Sequence, residues 1–351
     1  MTEHPRGFAS DNFSGAHPEV LAAIAGANDG HTPAYGEDPW TERARALFRG
    51  HFGDAAEAFP VFNGTAANVL ALDALTRPYE AVICVATSHL NVDECGAPER
   101  IAGVKLLTVA GEHGKLTPEL IAPLDVRRGD QHASQPRAIS ISQATELGTV
   151  YTPDEVRALA DFAHERDMLL HVDGARLANA AAALDAPLRA LTTDAGVDAL
   201  SFGGTKNGLV LGDAVVFLRP GLAGRFEFVR KQGMQLASKM RFLSAQFEAL
   251  LGDGDLWLRN ASHANAMARR LGDATEPIDG VEIAHPVDAN AVFARLPRRA
   301  IERLRSELPG ELPFYVWDED TGECRWMCSW DTTEDDVDRF AGAVEAAVAA
   351  A

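Results

Sequence analysis

The chain has 351 residues, 46% apolar and 24% charged, an ordinary globular composition with room for two domains. Its 32 basic and 51 acidic side chains leave a net charge of −19, which repels phosphate backbones and argues against a nucleic-acid partner. No apolar run approaches a membrane span, and residues 1–14 carry no apolar core of the kind a secretory signal needs.

Cys84, Cys95, Cys324 and Cys328 show no disulfide spacing, so buried thiols in a reducing cytoplasm are expected. No metal is expected either. Cys324 and Cys328 lack a second ligand pair, and the histidines show no ligand spacing.

In chain order, Phe8–Ser14 is too polar for a core element, and Leu21–Ala27 reads as a short helix. His31–Pro39 reads as a loop, after which Thr41 opens a helix over Glu42–Phe52. A short strand from Phe59 runs into Asn63-Gly64-Thr65, and a helix of small residues follows through Leu75. Gly64 allows close backbone approach, and Thr65 offers a hydroxyl and an N–H at the positive helix end. A phosphate cradle and an ordinary N-cap fit this pattern equally well.

Ala81–Val85 is the next expected strand and delivers Thr87-Ser88-His89 to its carboxyl end. Leu106–Val109, Ala138–Ser142, Leu169–Val172, Ala199–Phe202 and Ala214–Leu218 continue the series. Between them, Thr152-Pro153-Asp154-Glu155 is a capping box opening a helix to Arg166. Alternating strands and helices predict an α/β fold with a mostly parallel sheet covered on both faces.

Gly252–Asp255 marks the expected seam. Beyond it lie a long helix, short strands near 291–296, 314–317 and 325–330, and a terminal helix capped by Thr332 or Thr333. Val337, Phe340, Val344 and Val348 share one stripe of that helix. The expected organisation is an N-terminal segment 1–28, a large α/β domain 29–252 and a small C-terminal α+β domain 253–351.

Two strand ends carry the chemistry. Lys206 follows Gly203-Gly204 where a sheet places its ligands, and Asp173 ends the run from Met168. Pyridoxal phosphate needs such a pair: a lysine for its Schiff base and a carboxylate for its pyridine nitrogen. A loop lysine and a plain Asp-Gly turn are the plainer readings. His89 could lie over the cofactor ring or be structural. Arg176 and Arg325 match a substrate carboxylate, although Arg325 reads equally as an edge-strand charge.

The order of Ser10-Asp11, Tyr35–Pro39, Asn63–Asn68, Thr87–His89, His171–Arg176, Gly204–Gly208, Lys239–Arg241 and Arg325–Asp331 resembles the low-specificity L-threonine aldolases. The Gly-Thr-Lys-Asn and Ser-Asp-Asn forms resemble a sub-branch that includes phenylserine aldolases. These are pyridoxal-phosphate lyases of the aspartate-aminotransferase fold, fold type I.

The resemblance implies cleavage of β-hydroxy-α-amino acids to glycine and an aldehyde. It implies a Schiff base on Lys206, a pyridine contact from Asp173 and a stacked His89. Asn63, Gly64, Thr65, Arg176 and Arg241 complete the implied cofactor set, with Arg241 or Lys231 reaching in from a neighbouring subunit. Ser10, Arg176 and Arg325 would fix the substrate carboxylate, and Tyr35 would border an adjacent protomer's site. A dimer of dimers with shared sites is implied.

One segment departs from the family pattern. Gln143–Gly148 places Glu146 where many members carry a second histidine, so Glu146 is the candidate base. Another enzyme of the same cofactor and fold, a β-eliminating lyase or an aminotransferase, remains the alternative. A non-catalytic cofactor-binding protein and a nucleotide-binding protein are the readings from other classes.

Overall fold

Among the described residues of this computed structural model, 6–307 and 313–351, seven strands form the central sheet. They are β1 Glu57–Val61, β2 Glu80–Val85, β3 Lys105–Val109, β4 Gln135–Ser142, β5 Leu169–Gly174, β6 Ala199–Gly203 and β7 Asp213–Phe217. Their order is β1-β7-β6-β5-β4-β2-β3. Every residue of β5, β6 and β7 is buried, as expected of apolar strands covered by helices on both faces.

The pairs β2–β3, β2–β4, β4–β5 and β5–β6 are parallel, and β7 runs antiparallel to both its neighbours. That reversal decides the site. Asp213, the first residue of β7, pairs with Gly203 and Val61, the last residues of β6 and β1. The carboxyl ends of β1, β2, β4, β5 and β6 therefore meet the amino end of β7 along one rim.

A second sheet has the order β10-β11-β9-β8, all antiparallel, with β8 Glu282–Ile283, β9 Ala291–Arg295, β10 Tyr315–Asp318 and β11 Glu323–Met327. The helix Leu256–Thr275 serves both cores. Leu256, Trp257 and Ala261 pack with the large sheet, and Met267, Ala268 and Leu271 with the small one. The terminal helix Glu334–Ala349 is capped by Thr333 rather than Thr332, with Val337, Phe340 and Val344 fully buried.

The expectation for the first stretch fails. Phe8 is fully buried, stacked on Phe340 with ring centroids 4.6 Å apart. Its backbone joins the small sheet: the Phe8 amide donates to Pro313 O and its carbonyl accepts from the Met327 amide, both at 2.7 Å. The segment is polar because its second role is electrostatic, through the buried Ser10 and Asp11. Other departures are small. The helix expected to open at Thr41 spans Pro39–Phe52 with Asp38 as its cap, and the helix expected over Leu21–Ala27 spans Pro18–Gly26. Cys95 is exposed, unlike the other three thiols.

Candidate active site

The rim encloses a cavity of about 410 Å³, within the range typical of small-molecule sites. Asn63, Gly64, Thr65, His89, Glu146, Asp173, Arg176 and Lys206 all line it. These residues are spread over more than 140 positions of sequence. Parallel strands bring them together because each strand ends at the same rim.

At one end lies the helix Gly64–Leu75. The Asn63 carboxamide oxygen accepts from the Ala66 amide at 2.9 Å. The amides of Gly64 and Thr65 have no intrahelical acceptor, and they carry the positive end of the helix dipole. Gly203 brings the neighbouring wall close: a Cβ there would lie 2.6 Å from the Ala175 backbone. That contact lets the ends of β5 and β6 approach.

Asp173 is buried, with Oδ1 accepting from the Ala175 amide at 3.0 Å and Oδ2 from Asn68 Nδ2 at 2.8 Å. Asn68 also donates to Glu94 Oε1 at 3.2 Å, and His89 Nδ1 lies 2.8 Å from that same oxygen. Asn68 and Glu94 are buried, and sequence reasoning missed both as site residues. A polar residue one turn inside a mostly apolar helix was the available signal for Asn68. Glu94 gave none, because it sits in an irregular loop.

Glu146 accepts from the Ser142 hydroxyl at 2.5 Å and from the His89 amide at 2.8 Å, both at Oε1. Its Oε2 is buried without a partner. Burial raises the carboxyl above the ordinary range, against these two hydrogen bonds. Burial also holds the Lys206 ammonium below its ordinary value, reinforced by Arg176 and opposed by Asp11, Asp173 and Asp213. Asp213, another missed residue, is pushed up to about 6 by burial while accepting from the Gly204 amide at 2.9 Å.

Arg176 is gripped by Asp11, with Nε–Oδ2 at 2.7 Å and Nη2–Oδ1 at 2.9 Å. Ser10 does not reach the cavity wall: it caps the turn Asp11–Phe13, accepting from the Asn12 amide. Arg325 also stands behind the wall, between Tyr315 and Trp317, donating from Nη2 to Ala9 O at 3.0 Å; its Nε is buried and unpartnered. Arg241 donates to the carbonyls of Asp29 and Gly30, and Tyr35 is exposed beneath the Lys231 ammonium; neither lines this cavity.

Residues 7–298 match the family of beta-eliminating lyases. The chain is 48% identical to a low specificity L-threonine aldolase of a Pseudomonas species, across the whole of both proteins. It is 49% identical to the one from Pseudomonas aeruginosa, over 97% of this chain and 96% of the relative. The chain belongs to the beta-eliminating lyases, on their threonine aldolase branch.

The threonine aldolase of Leishmania major has the same fold, with a TM-score of 0.90 at 30% identity, covering 98% of this chain and all of the other. The expected fold-type I architecture is therefore present, with its mostly parallel central sheet and small antiparallel C-terminal sheet. Members of this branch are lyases, and so is this chain.

Proposed function

We propose that the chain is a pyridoxal-phosphate-dependent aldolase cleaving β-hydroxy-α-amino acids such as L-threonine, L-allo-threonine or L-phenylserine to glycine and an aldehyde. The observation that carries this reading is the buried Glu146 Oε2, unpartnered in the same cavity as Lys206 and Asp173.

The residues present fit the cofactor. Gly64 and Thr65 offer free amides to its phosphate, with Asn63 holding the helix start. Asp173, fixed by Asn68 and the Ala175 amide, offers a carboxylate to its pyridine nitrogen. Lys206 offers an amine whose lowered pKa favours the nucleophilic neutral form. When bound, pyridoxal phosphate supplies the electron sink for the pair released as the Cα–Cβ bond breaks.

The remaining steps belong to the protein. Arg176, held in one orientation by Asp11, presents its fork to the substrate carboxylate, and Arg325 and Ser10 support the same region from behind. Glu146 Oε2 accepts the β-hydroxyl proton while the aldehyde leaves, and a proton delivered to Cα then completes glycine. His89 lines the same cavity and would help hold the cofactor ring there. An aryl side chain, held by its own surface, depends less on the hydroxyl contact than a methyl group does.

We assign a homo-oligomer with shared sites. Phe228 and Met234 are 73% and 81% exposed, and Tyr35, Val210 and Leu211 are exposed as well. Such residues on the same chain as Lys231 and Arg241 suit a protomer interface. A dimer of dimers in the cytoplasm is the state we propose.

The test is product analysis on cofactor-loaded protein offered L-threonine and L-threo-phenylserine. Glycine appearing mole for mole with acetaldehyde or benzaldehyde is expected. Ammonia and a keto acid without glycine would instead assign the β-elimination for which the matched family is named.

A further inference from the structure

We infer that Glu94 is a positioning residue that fixes the tautomer and basicity of His89, and that Asn68 ties this imidazole to the same buried frame as Asp173. The role of His89 rests on the aldolase reading; the coupling itself does not.

The geometry is a short chain of contacts. His89 Nδ1 and Asn68 Nδ2 converge on one oxygen, Glu94 Oε1, at 2.8 and 3.2 Å. Asn68 Nδ2 also reaches Asp173 Oδ2 at 2.8 Å. An ionised carboxylate accepts only, so His89 must carry its proton on Nδ1. Nε2 is then left as the proton-accepting atom of the neutral ring.

Glu94 is buried, and among the described residues His89 is the one group in ion-pair contact with it. A buried carboxylate with no arginine or lysine partner stabilises imidazolium strongly. The other charges facing His89 are Asp173, which favours protonation, and Lys206, which opposes it; Glu146 meets the backbone amide of His89. The hydrogen bond to Glu94 is the largest influence, and it raises His89 above its ordinary value against burial. Glu94 thus shifts the ring toward its protonated form and makes the neutral ring a stronger base.

Sequence reasoning could not find this pair. His89 and Glu94 are five residues apart, bridging a four-residue helix, His89–Val92, and an irregular turn.

The experiment titrates His89 by nitrogen-15 NMR in cofactor-free wild type and in Glu94→Gln. We expect the midpoint to fall by about one pH unit or more and the population of the Nδ1–H tautomer to drop. In the loaded enzyme, kcat for aldehyde release should fall roughly 10²-fold, with the acid limb of its pH profile following the NMR midpoint. In a His89→Phe background, which keeps a ring in place, Glu94→Gln should add almost nothing.

An unmoved midpoint, or an equal activity loss in both backgrounds, would overturn the inference. Wild-type protein that releases no aldehyde, with the midpoint still shifting in Glu94→Gln, would sink the aldolase reading and leave the coupling standing.

Discussion

Asp11 holds Arg176 in a two-point ion pair across 165 residues of chain, and the carboxylate of that pair is only 1% exposed. The contact joins the N-terminal segment to the end of β5. Asn290 Nδ2 donates to the same carboxylate at 3.1 Å, which brings the small sheet into the same junction. Three parts of the chain thus meet on one acidic side chain.

Asp11→Asn should weaken both the fold and the site. Burial alone would raise this carboxyl; Arg176 and Lys206, with hydrogen bonds from Arg176 and Asn290, instead hold it below its ordinary value of 3.8. A depressed carboxylate contributes stability in full above its unfolded pKa and loses it as pH falls through the folded one. Urea titration at pH 7 should therefore show a loss of about 3 kcal/mol that shrinks below pH 4. KM should rise roughly tenfold, because the Arg176 fork loses its alignment.

Glu146→Gln separates stability from turnover. The raised carboxyl is destabilising when ionised, so the folded state gains stability as pH falls through its pKa and lacks it above. A neutral amide removes that penalty. Thermal unfolding at neutral pH should occur at a higher temperature in the variant, while kcat falls by about 10²–10⁴-fold. Unchanged kcat on both threonine and phenylserine would remove Glu146 from the mechanism.

His171 should set part of the acid sensitivity. It is fully buried between the hydroxyls of Ser140 and Ser201, at 2.9 and 3.0 Å, and burial lowers it to about 4. The unfolded chain takes a proton near 6.5 and the folded one near 4. Stability is complete above pH 6.5 and declines as pH falls toward 4. Replacing His171 with Gln should flatten the stability profile in that window, as measured by denaturant midpoints at half-unit steps.

Phe8→Ala tests whether the polar N-terminal stretch is structural. Phe8 is fully buried in the small core beside Phe340, so truncation should cost about 3–5 kcal/mol. Loss of the fold's hold on Asp11 should accompany it, read as a higher KM. An unchanged melting temperature would show that Phe8 is not part of the core.

Much of the fold was legible because buried strands and capped helices leave local signals. The apolar runs behind Asp173 and Lys206 and the capping box at Thr152 coincide with β5, β6 and the helix Pro153–His164. A buried strand must be apolar along its whole length, and a helix start needs acceptors for its orphan amides; both requirements act within a few residues. For the same reason the cavity-lining residues could be singled out where they stand at or just past the end of such a strand, as His89, Asp173 and Lys206 do.

What only the tertiary structure decided is pairing at a distance. The reversal of β7 brings Asp213 to the rim, and nothing local to that strand marks its direction. Phe8 and Asp11 read as too polar a stretch for the core because their partners, Phe340, Arg176 and Asn290, lie 165 or more residues away. Glu94 carries no local signal, and only the folded chain buries it with His89 and Asn68 as partners. Periodicity carries burial and secondary structure because those are set by near neighbours. Which charge meets which in the dry interior is set by the packing of the whole chain.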